Sequence, residues 1–210
     1  MKYNHTELWP SDLACNEHIF LRGIQLSDAS DIFSIIERNR NHFSIYMNWV
    51  KNIQSEQDIT QFIQNAFEKY QQDQECSYAI LFEEKLVGLI TLRNKLPRLA
   101  LKAHNVDSSS KNDEPHEFSE KSIMEVGYWL DSQYSRKGIM TTSLHRISQT
   151  MLNHYGIEEV HIKCATFNEP SNQVPMRAGF FHQTVLHETE EINGVLHDQN
   201  LYSLKALKTT

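Results

Sequence analysis

The chain has 210 residues, 40% of them apolar and 10% aromatic, enough for one well-buried domain and too apolar for a chain disordered throughout. Lys plus Arg number 20 against 27 Asp plus Glu, a net charge of −7, which speaks against a nucleic-acid binder working through a broad basic surface. No apolar stretch reaches the ~20 residues of a membrane span, MKYNHTELWP lacks a signal-peptide core, and Cys15, Cys76 and Cys164 are too widely spaced for a disulfide framework or a CxxC metal site; a reducing cytoplasm is the expected location, without a membrane partner.

Residues 18–23 read as a short strand, and Ala29, Ile32, Phe33 and Ile36 then fall on one helical face. Ser55 with Asp58 resembles a capping box lacking its Glu or Gln. Ile59, Phe62, Ile63, Ala66, Phe67 and Tyr70 follow at the spacing of an amphipathic helix. Residues 77–82 and 86–92 flank Glu83-Glu84-Lys85 as a β-hairpin. The segment from about 96 to 122 is loop-like in composition and long enough to be an insertion.

Residues 123–130 form a strong strand, and Leu144, Ile147, Met151 and Tyr155 mark a second amphipathic helix. Val160, Ile162 and Cys164 alternate with polar neighbours as in a strand. Residues 171–177 read as a short helix closed by Gly179, with Pro175 placed early in it. Two last strands, 181–192 and 195–204, are joined by Asn193-Gly194, a strong hairpin signal. The order β, α, α, β, β, β, α, β, α, β, β describes a single α/β (α+β) domain over 1–210. With more strands than crossover helices, its sheet is expected to be mixed.

The stretch from Glu125 to Ile147 carries the most chemistry. A strand ending near Leu130 runs through a polar loop with one glycine, Gly138, into a helix that starts at 139–141. Such a junction aims unpaired N–H groups and the positive helix end at one spot, a natural diphosphate cradle. Gly138 allows close backbone approach, and Arg136 and Lys137 add positive charge. The spacing is neither GxxxxGK[ST] nor GxGxxG, and an ordinary strand-to-helix turn shares the local pattern.

The passage resembles the acetyl-CoA motif of the GNAT acyltransferases, Gln/Arg-x-x-Gly-x-Gly/Ala. EVGYWLD followed by GIM is similar to the ribosomal-protein serine N-acetyltransferase (RimL-like) branch, as are MNWVKNIQSEQD, IKCATFNEPSNQV, and RAGF followed by the NG turn and HDQNLYSL. The likeness covers most of residues 19–204 in order. Ser135, Arg136 and Met140 depart from the motif, and Gly138 matches it. Nothing in the resemblance extends to residues 96–122.

The resemblance implies a GNAT fold: a mostly antiparallel central sheet, splayed at the acetyl-CoA site, with helices on both faces. The cofactor arm would lie in the splay against Trp129 and Leu130, and its diphosphate against Arg136, Lys137, Gly138, Ile139, Met140 and Thr141. Asn168 and Asn172 would touch the arm. Acetyl would pass from the thioester to a primary amine, the N-terminal α-amine of a ribosomal protein by resemblance, and the protein would pair as a homodimer. A polyamine, aminoglycoside or aminoacyl conjugate is the alternative acceptor. A CoA-binding sensor or interaction module without turnover is the alternative function.

An ammonium cannot attack a thioester, so a base must take its proton, and the departing thiolate benefits from an acid. The resemblance assigns the base to Glu190 and the acid to Ser171. Strand alternation places Glu190 on the face of Glu188. Ser171 also suits a helix N-cap. Glu125 is the second candidate base, and Tyr128 and Tyr202 are alternative proton donors. Asn48, Trp49 and Glu125 are expected at the acceptor site. Cys164 reads first as a buried small apolar residue. His187, Glu188, Glu190, His197 and Asp198 gather across the last hairpin without a recognised ligand spacing, so no metal is expected.

Overall fold

The computed structural model describes residues 8–10, 12–95 and 122–206. The expected insertion at 96–122 lies almost wholly outside them. The elements run β1 (Leu13–Ala14), β2 (Ile19–Gly23), α1 (Ala29–Phe43), α2 (Glu56–Gln71), β3 (Glu75–Phe82), β4 (Lys85–Asn94), β5 (Ile123–Leu130), α3 (Ile139–His154), β6 (Glu159–Ala165), α4 (Glu169–Arg177), β7 (Phe181–Ile192) and β8 (Val195–Lys205). Among the described residues the strands form one eight-stranded sheet in the order β1-β2-β3-β4-β5-β6-β8-β7. Every neighbouring pair is antiparallel except β5 and β6.

Period-two alternation divides the strands between two cores. Tyr78, Ile80, Ile90, Leu92, Val126, Val160 and Ile162 pack with Ile139, Leu144, Ile147 and Met151 of α3 on one face. Ala79, Leu89 and Trp129 pack with Ile32, Ile36 and Phe43 of α1 and Ile59 and Ile63 of α2 on the other. The two faces are therefore each covered by helices, as the mixed sheet requires.

Ser55 and Asp58 do form a reciprocal capping box at the start of α2. The shorter Asp58 carboxylate reaches back to the Ser55 N–H at 2.8 Å, so the box closes without Glu or Gln. α4 differs from expectation. It begins at Glu169, with Asn168 as its N-cap, so Pro175 lies inside it rather than early. The Asn168 Oδ1 accepts the Ser171 N–H at 3.2 Å, which removes Ser171 from the capping role.

Candidate active site

β5 and β6 pair over three positions only, Ile123 with Glu159, Met124 with Val160 and Glu125 with His161. Beyond these, β5 stays paired to β4 as far as Leu130, and β6 to β8 as far as Ala165. The edges that face each other from Val126 and Ile162 onward have no ladder between them. Main-chain donors and acceptors left open in a sheet interior demand partners. They line a crevice of about 1420 Å³ that continues to Arg136, Gly138, Ile139, Met140 and Thr141 at one end and to Trp49, Phe62 and Glu190 at the other.

The loop after β5 is held by a buried carboxylate. The Asp131 side chain is 0% exposed and pairs with Arg38 of α1 at 2.6 Å. It also accepts from the Asn39 amide at 2.9 Å. Burial alone would raise its pKa; the bonds from Arg38, Asn39 and the Gln133 N–H outweigh burial and hold it below the ordinary carboxylate value. Asn39 in turn accepts from the Ser132 N–H at 3.1 Å and from its hydroxyl at 2.6 Å. Arg38 and Asn39 carry no local sequence signal for this role, because their partner lies on an element remote in the chain.

Arg136 and Gly138 both have left-handed backbone, φ 63° and 75°. Gly138 is the N-cap of α3, where an L side chain is strained although the space around it is open. The first intrahelical bond of α3 runs from the Thr142 N–H to the Gly138 carbonyl at 2.9 Å. The amides of Ile139, Met140 and Thr141 therefore precede the ladder and point out of the helix end into the crevice.

Farther in, three polar groups meet. The Tyr128 hydroxyl donates to the Ser171 carbonyl at 3.0 Å. The Ser171 Oγ lies 3.4 Å from the Tyr128 oxygen and 3.3 Å from the Cys164 Sγ. Burial pushes the Tyr128 phenol well above its ordinary pKa, helped by the adjacent Cys164. Burial also raises the Cys164 thiol; bonds from Ser171 and Tyr128 oppose this and the Glu190 charge adds to it. Cys164 is thus a buried thiol, as read from the sequence, yet it also lines the crevice.

Glu190 lines the same crevice, and its Oε2 accepts from the Gln199 amide at 2.7 Å. The expected alternation fails here. Leu186 pairs with Gln199 and Glu190 with His197, so three residues of β7 oppose one of β8. Glu188 turns to φ 52°, and Asp198 accepts both the Glu188 N–H and the His187 ring, each at 2.9 Å. The bulge sends consecutive Thr189 and Glu190 into the crevice and leaves Glu188 outside it.

The model of the family described as "Acetyltransferase (GNAT) domain" matches residues 18–181. The chain belongs to the GNAT acetyltransferase family. It is an acetyl-CoA-dependent N-acetyltransferase. It is 26% identical over 192 residues to the ribosomal-protein-serine acetyltransferase of Escherichia coli (strain K12), covering 90% of this chain and 93% of the relative. Among solved structures it is similar to the microcin C7 self-immunity acetyltransferase MccE in complex with acetyl-CoA and AMP. That match has TM-score 0.76 and 26% identity over 95% of this chain and 98% of the other. The ribosomal L7/L12 α-N-protein acetyltransferase RimL in complex with coenzyme A shares the fold, with TM-score 0.78, 20% identity and 93% and 98% coverage.

Trp129, Leu130, Arg136, Gly138, Ile139, Met140, Thr141, Asn168, Ser171, Trp49, Glu125 and Glu190 all line the crevice of this GNAT enzyme. Three expected residues do not. Lys137 places its Nζ over the rings of Tyr134 and Phe82, 4.9 and 5.8 Å from their centroids. Asn172 is buried, its amide nitrogen given to the Ala165 and Asn168 carbonyls and its oxygen to Asn200 and the Tyr202 hydroxyl. That last bond also removes Tyr202 as a proton donor. Asn48 ties the α1–α2 connection to the last hairpin, donating to the Glu191 carbonyl at 2.8 Å and accepting the Asn193 N–H at 3.1 Å.

Glu125 sits between Lys95 at 2.9 Å and Lys163 at 3.0 Å. Its burial favours protonation, but the two lysines outweigh it and lower the pKa. A carboxylate so paired is a weak base. Sequence reading also missed Tyr46, which lines the crevice and stacks on Phe167 outside its lining with centroids 5.7 Å apart; Phe167 in turn meets His197 at 4.7 Å. No three His, Cys, Asp or Glu gather as a metal-ligand set among the described residues.

Proposed function

We propose that this enzyme acetylates the N-terminal α-amine of a ribosomal protein, with Glu190 as general base and Ser171 as general acid. The observation that carries the assignment is the convergence of these two side chains, from β7 and α4, on one forked crevice. The acceptor class is drawn from the ribosomal-protein-serine acetyltransferase that matches along nearly the whole chain.

The fork offers an amide-rich cofactor arm the open edges of Trp129 and Leu130 and of the facing strand, and the helix end at Gly138 offers its amides to the diphosphate. Glu190 keeps Oε1 without a bond among the described residues, while Gln199 orients the carboxylate through Oε2. The free oxygen takes a proton from the incoming ammonium, directly or through water, so that the neutral amine attacks the thioester carbonyl. On collapse of the tetrahedral adduct the C–S bond breaks, the Ser171 hydroxyl passes its proton to the departing thiolate, the remaining extra proton of the attacking nitrogen restores that hydroxyl directly or through water, and Glu190 releases its proton to solvent. Trp49 and Tyr46, which line the crevice, form the acceptor wall. The enzyme acts in the cytoplasm as a homodimer.

A second reading, a small-molecule amine as acceptor, draws on the match to an acetyltransferase solved with acetyl-CoA and AMP. The half-exposed Trp49 suits a planar acceptor. Coenzyme A release from acetyl-CoA with serine-initiated peptides, polyamines, aminoglycosides and aminoacyl nucleotides separates the readings. Preferred turnover of the peptides supports the first. Turnover confined to small amines moves the assignment to the second, and coenzyme A binding without any turnover overturns both.

A further inference from the structure

In a regular helix the N–H of residue 175 would bond the Ser171 carbonyl. Pro175 lies inside α4 and has no N–H to give. Its ring also crowds the carbonyl four residues back and turns it out of the helix axis. Rungs toward either end of the helix stand: the Asn172 N–H meets the Asn168 carbonyl at 3.0 Å, and the Ala178 N–H meets the Val174 carbonyl at 3.0 Å. The Ser171 carbonyl is released at this point, and the Tyr128 hydroxyl takes the missing donor's place at 3.0 Å, with the weaker Cys164 thiol beside it at 3.6 Å.

This bond joins the two walls of the fork, because Tyr128 stands on β5 and Ser171 on the helix that follows β6. It also settles where protons reside. The phenol has one proton and spends it on the carbonyl, so its oxygen can only accept from the Ser171 Oγ. The acceptors within reach of that hydroxyl, the phenol at 3.4 Å and the Cys164 sulfur at 3.3 Å, are both weak. The Ser171 proton therefore has only weak acceptors at rest and is held loosely enough to be redirected. Tyr128, its own proton committed, is not the acid.

We infer that Pro175 is a positioning residue for acetyl transfer: by withholding a helical N–H it hands the Ser171 carbonyl to Tyr128, and that cross-fork bond fixes the Ser171 hydroxyl. The inference rests on the reading of Ser171 as proton donor. It makes Tyr128 and Pro175 parts of one device, so their removal must be non-additive.

The experiment is a double-mutant cycle of Pro175→Ala and Tyr128→Phe in the full chain, assayed with acetyl-CoA and the faster of a serine-initiated peptide and spermidine. Each single substitution is expected to lower kcat roughly five- to tenfold, the rate equivalent of one hydrogen bond, with little change in KM for acetyl-CoA. The double variant is expected to match the singles. Melting provides a second cycle that a general structural defect does not reproduce. Tyr128→Phe should lower Tm by about 2–4 °C alone, and by much less beside Pro175→Ala, where a restored N–H satisfies the carbonyl. Multiplying kcat losses, or losses expressed in KM, overturn the inference and leave the transfer reading intact. Absence of transfer by the unmodified protein with either acceptor overturns both.

Discussion

The two ends of the crevice are built from different materials. At the helix end the working groups are main-chain amides of residues 139–141, set by one left-handed glycine and braced from behind by Asp131. At the reacting end they are side chains from β5, β6, α4 and β7, brought together only by the completed sheet. The first kind of site tolerates changes of side chain but not of backbone conformation. The second has the opposite sensitivity. Substitutions at the two ends should therefore separate binding from turnover.

The two largest effects are expected from Gly138→Glu at the helix end and Glu190→Gln at the reacting end. A side chain in left-handed backbone costs roughly 1–2 kcal/mol, and a carboxylate would stand where the cofactor's diphosphate is expected. Calorimetric affinity for coenzyme A should fall at least about a hundredfold, or about 2.7 kcal/mol. Retained binding would remove the helix end from the cofactor site. Glu190→Gln should do the reverse. The amide keeps the volume and the bond to Gln199, so coenzyme A affinity should hold. Loss of a general base should cut kcat by about 10² to 10⁴. Unchanged kcat would move the base elsewhere and leave the division between the two ends without its clearest support.

The same contrast explains what the sequence disclosed. The strand, the single glycine and the helix start of residues 125–147 are contiguous, so local pattern and family likeness together located the helix end. The hairpin, the capping box and the mixed sheet were likewise readable from spacing and turn chemistry. The reacting end was readable only in part. Ser171 and Glu190 entered through resemblance, while the Tyr128–Ser171 carbonyl bond depends on a proline four residues beyond Ser171 and a strand over forty residues before it. Alternation misjudged the neighbours of Glu190 because a bulge capped by Asp198 adds residues to β7. Asn172 and Lys137 lay at fitting positions in the sequence, but their polar ends turn to protein partners.

Behind the helix end, the Arg38–Asp131 pair is a structural prop, and its removal should read out in stability. Substituting Asp131 by Asn leaves the exposed Arg38 to solvent but weakens the bonds that the buried carboxylate accepts from Arg38, Asn39 and the Gln133 N–H, a loss of about 1–3 kcal/mol. Urea unfolding at neutral pH should show that loss. The pH dependence has a definite sign. The folded pKa lies below the unfolded value of about 3.9, so the contribution is fully present above that value and is lost as pH falls through the folded one. The unmodified protein should lose stability on acidification below about pH 4, and Asp131→Asn should lose less over the same window. Parallel acid profiles would mean that Asp131 is not the group being titrated.

The smallest effect offers the finest test, because it separates two residues three positions apart. Asn168 caps α4 through the Ser171 N–H, and the Ser171 hydroxyl takes no part in that bond. Asn168→Ala should cost about 1 kcal/mol of stability, near 2–4 °C in Tm. Ser171→Ala keeps the N–H and the cap, so its melting should stay close to that of the unmodified protein while kcat falls about tenfold. A melting loss in Ser171→Ala matching that of Asn168→Ala, with kcat intact, would reduce the serine to a helix-start residue. An intact Tm with reduced kcat would assign its hydroxyl to the reaction, because that hydroxyl is the only group the substitution removes.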